Sequence, residues 1–318
     1  MLDLAIIGGS AAGISAGIYA ARRNLDFKII SKEMGGEVAL SGEVGNWPGI
    51  ISIQGFELAQ KFTAHIKNYP ETKIDEGWRV IKIEPKDNYH VITAENAGDA
   101  SKIQTYQAKA VIIASGIRPR YLKLPGEEEL RNKGVTYCTV CDGPLYKGKI
   151  TATIGSGNSA LESALMMANI SKKVYLVSKY ANTKENNYGF PPGENILINK
   201  IKKLKNVEVV YNAVSTAILG NNMVSGLKYL DQISAKEKTL DVQGIMVHIG
   251  QVPNSHFVDC VEKDKMKQII IDEKCRTSCQ GIFAAGDVTN VPYKQIGIAT
   301  GQGIIAGLAA IEYINKWE

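Results

Sequence analysis

Short apolar runs alternate with a helical pattern of small residues at the start of the chain. Leu4 to Gly8 is an apolar run that ends in glycines, Ala11 to Ala21 has small and apolar residues of helical character, and Lys28 to Ile30 is a second short run. These segments predict a strand, a tight turn, a helix and another strand. The chain therefore opens with a βαβ unit.

The same order of elements recurs from Ile150. A run that ends at Ile154 is followed by a glycine turn, a helical pattern through Met167 and a further run from Val174 to Val177. Two such openings predict an α/β fold with two doubly wound nucleotide-binding domains.

A third segment completes the first of these domains. Gln280 to Asp287 predicts a strand, and Gly297 to Tyr313 predicts a helix rich in glycine and alanine. Glycine, proline and polar residues mark two candidate linkers, Ser115 to Pro119 and Asp241 to Ile245. The predicted domains are residues 1–116 with 245–318, interrupted by an inserted domain at residues 117–244.

The composition narrows the classes of function. A chain of 318 residues is long enough for two domains. Charged residues are 22% of the chain and the net charge of +5 is spread in short groups, which argues against a nucleic-acid partner. No apolar run approaches the roughly 20 residues of a membrane helix, and Met1 leads into the first strand without a signal-peptide start. We expect a cytoplasmic protein with no membrane partner.

The first glycine turn is Gly8-Gly9-Ser10-Ala11-Ala12-Gly13. A dinucleotide pyrophosphate needs a turn free of large side chains beside the exposed N–H groups of a helix N-terminus. Ser10 stands where the G-x-G-x-x-G fingerprint has its middle glycine. The segment is therefore either a nucleotide site or a structural strand-to-helix turn.

The second turn, Gly155-Ser156-Gly157-Asn158-Ser159-Ala160, is the cleaner fingerprint and predicts an NAD(P) site. The strand after it ends in Ser178-Lys179-Tyr180, without the acid typical of NAD sites or the arginine typical of NADP sites. Lys179 is either a phosphate contact or a solvated lysine.

Cys138-Thr139-Val140-Cys141 has the C-x-x-C spacing that lets two thiols at a helix start close a small, reducible ring. The next residue, Asp142, is a candidate general acid for a leaving thiolate, or a charge that complements the helix N-terminus.

The other cysteines do not extend this motif. Five cysteines is an odd number, which argues against a secreted disulfide scaffold. Structural zinc needs four ligands, and the distant C-x-x-x-C pair has neither the usual spacing nor the same domain, so we expect no metal site. We expect packing or incidental roles for Cys260, Cys275 and Cys279, and ordinary roles for His65, His90, His248 and His256.

Taken together, these motifs resemble the low-molecular-weight thioredoxin reductases and, locally, the flavoprotein subunit of alkyl hydroperoxide reductase. The redox segment from Gly134 to Leu145 is similar along its length, and the resemblance covers essentially the whole chain. The flavin-side matches are Ala284 to Asp287, Val291 to Ile296, Gly35-Gly36-Glu37 and Asn46-Trp47-Pro48-Gly49, with Glu37 where the family usually has glutamine.

The resemblance implies an FAD domain built from both ends of the chain, an inserted nicotinamide domain and a homodimer. It implies that Cys141 lies beside the flavin, that Cys138 attacks the partner's disulfide and that Asp142 is the acid or base. Asp287 would bind the ribityl or phosphate groups of FAD, with Gln295 and Ile296 near its ring. The remaining FAD-side candidates are Gly8, Gly9, Ser10, Ala11, Ala12, Gly13, Gly35, Gly36, Glu37, Asn46, Ala114, Gly116, Gly286 and Lys294. The nicotinamide-side candidates are Gly155, Gly157, Asn158, Ser159, Ala160 and Lys179.

Two departures from the family pattern concern the partners. The chain begins at the FAD strand, so the resemblance implies a separate acceptor, thioredoxin or a glutaredoxin-like protein. The His-Arg-Arg-x-x-x-Arg run that reads the 2′-phosphate is missing, and a longer stretch around Pro191 takes its place. NADPH, NADH and ferredoxin all stay open as electron donors, and a redox-sensing flavoprotein that regulates a partner is the alternative function.

Overall fold

The computed structural model describes residues 1–41 and 43–316 of the chain, and the side chains of Glu43 and Cys141 lie outside the described part. The chain forms two compact units. Unit 1 contains Met1–Arg118 and Val252–Glu318, and unit 2 contains Pro119–Gln251.

The secondary structure consists of β-strands, α-helices and short 3₁₀ turns. The strands are β1 Leu2–Gly9, β2 Phe27–Met34, β3 Glu43–Val44, β4 Ile53–Gln54, β5 Lys73–Glu76, β6 Trp78–Pro85, β7 His90–Asn96, β8 Ile103–Ile113, β9 Ile117–Pro119, β10 Val135–Thr136, β11 Ile150–Ile154, β12 Lys173–Val177, β13 Val207–Val210, β14 Ala213–Gly220, β15 Val224–Asp231, β16 Lys236–Asp241, β17 Gly244–Val247, β18 Gln251–Pro253 and β19 Ile282–Ala284. The α-helices are α1 Ala11–Arg22, α2 Gly36–Leu40, α3 Gly55–Lys67, α4 Thr139–Asp142, α5 Asn158–Ala168, α6 Asn195–Ile201 and α7 Ile296–Ile314. Single 3₁₀ turns are Gly143–Tyr146, Asn187–Gly189 and Gly286–Val288.

The main sheet of unit 1 is built around β1. This strand pairs in parallel with β2 and β8, so that Ile6 lies opposite both Ile29 and Ile112. β5 and β19 continue the parallel part, whereas β7 and β6 extend the sheet in antiparallel order. The three isoleucines are fully buried, as expected for parallel strands covered on both faces.

Helices α1 and α7 of unit 1 pack closely because small residues face each other. A Cβ atom on Gly303 would lie 2.1 Å from the Ala12 carbonyl oxygen, and one on Gly307 would lie 3.2 Å from the Ala16 Cα. Backbone atoms therefore occupy the space that larger side chains would need.

The expectation of no long apolar run needs a correction at α7. This helix has 19 residues and is long and apolar enough to cross a membrane by length and composition alone. Its glycines and alanines are apolar as well as small, so close helix packing and membrane-like composition come from the same residues. Ala306 and Ala310 are fully buried in the core of unit 1.

Unit 2 also contains a parallel sheet, but its antiparallel strands form a separate sheet. The parallel sheet has the order β10-β17-β11-β12-β13, and the antiparallel sheet has the order β14-β15-β16. Ala152 of β11 and Leu227 of β15 are fully buried in a shared cluster. The predicted second βαβ opening corresponds to β11, α5 and β12.

The compact units differ slightly from the predicted domains. Unit 2 covers residues 119–251, whereas the inserted domain was predicted at residues 117–244. The larger difference arises because β17 pairs in parallel with both β10 and β11 and so belongs to the sheet of unit 2. Sequence pattern identifies a buried strand but not the sheet that it joins.

Two glycines of α7 give a matched test of the helix packing. Gly303→Ala should lower the free energy of unfolding by about 2 kcal/mol, because its Cβ would meet the Ala12 carbonyl. Gly301→Ala should leave it unchanged or raise it by up to about 1 kcal/mol, because no atom lies within 4 Å of its Cβ position and alanine favours helix. Urea unfolding followed by circular dichroism measures both, and equal effects would contradict the packing described.

Candidate functional site

The first glycine turn brings the backbone of three elements into contact. Gly8 has φ +117°, and a Cβ atom on it would lie 2.2 Å from the Ala114 carbonyl oxygen at the end of β8. A Cβ on Gly13 would lie 1.9 Å from the Gly8 carbonyl oxygen. Only glycine fits either position, so strand, turn and helix come together without side chains between them.

Ser10, the departure from the fingerprint, has a structural role in this turn. Its hydroxyl group donates a hydrogen bond of 2.5 Å to the Gly35 carbonyl, and the Gly35 N–H donates to the Gly9 carbonyl at 2.8 Å. The two predicted FAD segments are therefore tied to each other. Ser10 also lies directly before α1, whose N-terminal N–H groups are suited to bind a phosphate.

A third predicted segment, Gly286-Asp287, reaches the same turn. Gly286 has φ +77°, and a Cβ on it would lie 3.1 Å from the Ala12 Cβ. The Gly286 N–H donates to the Gln302 side-chain oxygen at 2.8 Å, and the buried Thr289 hydroxyl donates to the Gly286 carbonyl. Gln302 was missed from the sequence, although a glutamine within an otherwise apolar helix was the available signal.

The carboxyl group of Asp287 lies half-buried and accepts no hydrogen bond from the described residues. Burial raises its pKa, and the charge of Lys294 opposes that rise. Burial also raises the pKa of Glu37, and the charges of Asp287 and Glu33 raise it further. The carboxyl groups of Asp287 and Glu37 can accept hydrogen bonds. A ligand that brings hydroxyl groups, such as the ribityl chain of FAD, would supply the donors.

Most of the remaining FAD-side candidates lie around the N-terminus of α7. Asn46 donates a side-chain hydrogen bond of 2.9 Å to Gln295, and α7 begins at the next residue, Ile296. The Lys294 ammonium group donates to the Thr289 carbonyl at 2.6 Å. Gly116, also a candidate, has φ +66° and accepts a bond from the Asn254 N–H.

In unit 2, Cys138 is disulfide-bonded and lies directly before the short helix α4. The prediction that Cys141 is the other cysteine of this pair falls on a side chain that lies outside the described part of the structure. The buried hydroxyl group of Thr136 accepts a bond of 3.1 Å from the Cys138 N–H and donates to the Asp142 carboxylate. Thr136 thus holds Asp142 beside the redox segment, a link that spacing alone did not reveal.

A second hydroxyl group within the redox segment belongs to a buried network. The Thr139 oxygen lies 2.6 Å from the Ser163 oxygen and 2.7 Å from the His248 Nε2 atom. Burial lowers the pKa of His248 to about 4, so its ring is neutral at pH 7. His248 was expected to be an ordinary residue. It instead contacts a residue between the two cysteines.

The second glycine turn also requires a glycine. Gly155 has φ +144°, and a Cβ on it would lie 2.1 Å from the His248 carbonyl oxygen. Asn158, the first residue of α5, donates to the Glu194 carboxylate at 2.7 Å and accepts from the Glu194 N–H at 2.8 Å. The Glu194 carboxylate therefore lies close to the N-terminus of α5, where a phosphate of a nucleotide would otherwise bind.

The longer stretch around Pro191 folds back onto the end of β12. The buried Ser178 hydroxyl donates to the Gly189 carbonyl at 2.6 Å, and Phe190 is buried beneath the stretch. A Cβ on Gly157 would lie 3.7 Å from Pro192, so the stretch reaches the glycine turn. Lys179 is exposed, with its ammonium group 5.2 Å from the centre of the Tyr180 ring.

Comparison with known proteins identifies the family. The family model of the pyridine nucleotide-disulphide oxidoreductases matches residues 2–303. The chain belongs to this family. It is 37% identical over 321 residues to the F subunit of the alkyl hydroperoxide reductase of Escherichia coli, covering 99% of this chain and 58% of that protein. It is 36% identical over 315 residues to the NADH dehydrogenase of Bacillus subtilis, covering 99% of this chain and 59% of that protein.

A solved thioredoxin reductase from T. acidophilum has the same fold, with a TM-score of 0.77 and 36% identity. That similarity covers 100% of this chain and 99% of the other. The predicted α/β fold class and the oxidoreductase class are confirmed. The chain spans a little under three fifths of the two curated relatives.

Family membership implies FAD as the cofactor and a pyridine nucleotide as the electron donor. The residues of unit 1 fit FAD, because the glycine turn leaves space for a pyrophosphate and Asp287 offers an acceptor for a hydroxyl group. Bound FAD supplies transfer of an electron pair between a nicotinamide and a disulfide. No group of histidine, cysteine and carboxylate side chains that could hold a metal occurs among the described residues.

Loss of the Ser10 hydroxyl should weaken the FAD site. Ser10→Ala removes the bond to Gly35, and a neutral hydrogen bond of about 1 kcal/mol corresponds to roughly fivefold weaker binding of FAD to the apoprotein. Flavin fluorescence titration measures the dissociation constant. Ser41→Ala is the control, because Ser41 directly follows α2 and its hydroxyl donates to the backbone carbonyl of Glu37 in that helix. FAD binding by Ser10→Ala as tight as that of the wild type would contradict the role of Ser10.

The half-buried imidazole of His248 should make the protein sensitive to acid. A histidine whose pKa falls from 6.5 to about 4 on folding binds fewer protons in the folded state, so stability declines as pH drops from 6.5 towards 4. Over that window the loss is about 3 kcal/mol. His248→Gln should remove most of it while differing little in pH dependence above pH 7. Urea midpoints at pH 7.5 and 4.5 measure this, and parallel declines in both proteins would contradict it.

Proposed function

We propose that this protein is an FAD-dependent disulfide reductase that passes electrons through Cys138 and Cys141 to thioredoxin or a glutaredoxin-like protein. The observation that carries the proposal is the disulfide-bonded Cys138 in a C-x-x-C segment, on a chain that also builds an FAD-type glycine turn. Neither feature alone would define the reaction.

The reduced dithiol does its chemistry by exchange. One thiolate attacks a sulfur of the partner's disulfide, a mixed disulfide forms, and the partner's second sulfur leaves as a thiolate that takes up a proton. The remaining thiol then displaces the partner and closes the internal disulfide. By matched position, Cys138 makes the first attack and Cys141 closes the ring.

Asp142 is the proposed proton donor and acceptor for these steps. The Thr136 hydroxyl donates to its carboxylate and also accepts the Cys138 N–H, so one buried side chain orients both. Geometry of this kind matters because a general acid must lie within reach of the atom that it protonates.

The surface beside the dithiol suits a protein acceptor. Val140, between the two cysteines, is 46% exposed, and Leu145, just after them, is 68% exposed. Exposed apolar side chains next to a reactive group are typical of a docking surface for another protein. A homodimer, which the resemblance implies, stays a prediction for sedimentation analysis.

The electron donor that best fits unit 2 is NADH. An NADPH site typically has an arginine for the 2′-phosphate, and the segment from Ser178 to Glu194 contains two lysines but no arginine. Its Lys179 lies over the Tyr180 ring, with the ammonium group 5.2 Å from the ring centre. The relative from Bacillus subtilis named an NADH dehydrogenase supports the same choice.

Substitution of one cysteine tests the dithiol. Cys138→Ser should retain FAD and its reduction by the donor, but should lose protein disulfide reduction by at least about a hundredfold, because no thiolate can form the mixed disulfide. Reduction of thioredoxin and of a glutaredoxin in a coupled assay measures this. Cys260→Ser is a matched control and should stay within about twofold of the wild type. Wild-type rates in Cys138→Ser would refute the proposed route.

Anaerobic titration of the flavin absorbance identifies the donor. NADH should reduce the flavin at concentrations roughly tenfold or more below those of NADPH, since a lost charged hydrogen bond to a phosphate costs about 1.5–3 kcal/mol. Reduced ferredoxin is the third titrant, because the Glu194 carboxylate near α5 also disfavours a pyrophosphate there. Equal use of NADPH, or reduction by ferredoxin alone, would overturn the choice of NADH.

A further inference from the structure

Unit 1 contains a second pair of cysteines in contact. The thiol groups of Cys260 and Cys279 share a hydrogen bond, and both cysteines are free. Both pack at the edge of the same apolar cluster, and both are partly exposed to solvent. They are 19 positions apart in sequence, so folding and not local spacing brings them together.

Neighbouring hydrogen bonds hold the two segments in place. The Glu262 N–H donates to the Ser278 hydroxyl at 2.8 Å, which ties the residues beside the two cysteines. The Cys279 carbonyl accepts the Ile282 N–H at the start of β19. The thiols therefore face each other from two anchored segments, as ring closure by a disulfide requires.

The two thiols differ in chemistry. Burial and the bond to Cys279 raise the pKa of Cys260 to about 12, so Cys260 stays a thiol at neutral pH and can donate to the Cys279 sulfur. The thiolate is the form that reacts with oxidants, so Cys260 is the poorer attacking group of the two. This asymmetry gives Cys279 the role of the attacking sulfur and Cys260 the role of the resolving one.

We propose that Cys260 and Cys279 form a second, reversible disulfide when the protein meets a hydroperoxide. The Cys279 sulfur gives up its proton and attacks one oxygen of the hydroperoxide, so that an S–O bond forms, the O–O bond breaks and a sulfenic acid results. The other oxygen takes up the proton and leaves as the alcohol, or as water from hydrogen peroxide. The Cys260 sulfur then attacks the sulfenic sulfur, the sulfenic oxygen leaves as water with the Cys260 proton, and the S–S bond closes. Two thiols and one hydroperoxide thus give one disulfide, one alcohol and one water.

The ring closed by a disulfide between Cys260 and Cys279 would contain Ile269, whose backbone bonds support the turn Gly286–Val288. Within it, the Ile269 N–H donates to the Val288 carbonyl and the Ile269 carbonyl accepts the Asn290 N–H, on either side of Thr289. These bonds hold the chain next to Asp287. Oxidation should therefore raise the temperature at which FAD fluorescence is released, because a disulfide restricts the unfolded segment.

Peptide mapping of the holoenzyme tests the proposal directly. The protein is treated with stoichiometric hydrogen peroxide, alkylated and digested with trypsin, which cleaves after Arg276 and separates Cys275 from Cys279. The Cys138 and Cys141 pair falls on a different tryptic peptide, from Gly134 to Lys147. We expect one cross-linked pair of peptides containing Cys260 and Cys279, and its loss on treatment with dithiothreitol.

Three variants sharpen the result. The cross-link should be absent from Cys260→Ser and Cys279→Ser and present in Cys275→Ala, whose cysteine is buried and bonded to the Gln302 carbonyl. Recovery of both cysteines as alkylated thiols, over-oxidation of Cys279 without a cross-link, or a link to Cys275 would each overturn the proposal. Mapping of the wild-type protein does not depend on whether a variant folds.

Discussion

The close approach of backbone to backbone at the glycine turns is the constraint on which the rest of this structure depends. In unit 1 the Gly8 turn touches the end of β8, and the start of α1 folds back onto Gly8. In unit 2 Gly155 lies against the His248 carbonyl at the end of β17. At each place a single Cβ would prevent contact between a strand, a turn and a helix. In unit 1 the same contacts leave the N-terminus of α1 suited to a phosphate, whereas in unit 2 the Glu194 carboxylate lies near the N-terminus of α5.

Around these turns, buried and half-buried polar side chains determine which segments meet. Ser10 joins the first turn to Gly35, Gln302 holds Gly286, and Thr136 links the Cys138 backbone to Asp142. Each bond lies in a largely apolar setting, where an unmade hydrogen bond is costly and a made one specifies a single arrangement. Asp287 differs, since its half-buried carboxyl group lacks a donor among the described residues and is thereby suited to a ligand. Ser10, Gln302 and Thr136 thus find their partners within the chain, whereas the carboxyl group of Asp287 is left for a ligand.

Sequence reasoning recovered the repeated βαβ openings, because glycines followed by small residues predict a turn and a helix with few alternatives. It also identified the C-x-x-C segment from local spacing alone. It missed His248, because a histidine has no local signal for a partner 109 positions away in the chain. It missed Thr136, because spacing does not show which hydroxyl group bonds to its neighbours, and it overlooked the glutamine at Gln302 within an otherwise apolar helix. The assignment of β17 differed for a similar reason, since strand pairing is decided in three dimensions. Ser10 departs from the glycine fingerprint, and the sequence does not show why. The structure gives the reason, which is the hydrogen bond from its hydroxyl group to the Gly35 carbonyl.

The central claim is that one chain holds FAD and a redox-active dithiol that exchange electrons. Anaerobic titration with dithionite, followed by flavin absorbance and by alkylation of free thiols, tests it most directly. The account predicts that the wild-type holoenzyme takes up about four electrons per chain, two for FAD and two for the disulfide, and that Cys138→Ser takes up about two. Uptake of about two electrons by the wild type, with the Cys138 disulfide still intact, would contradict it.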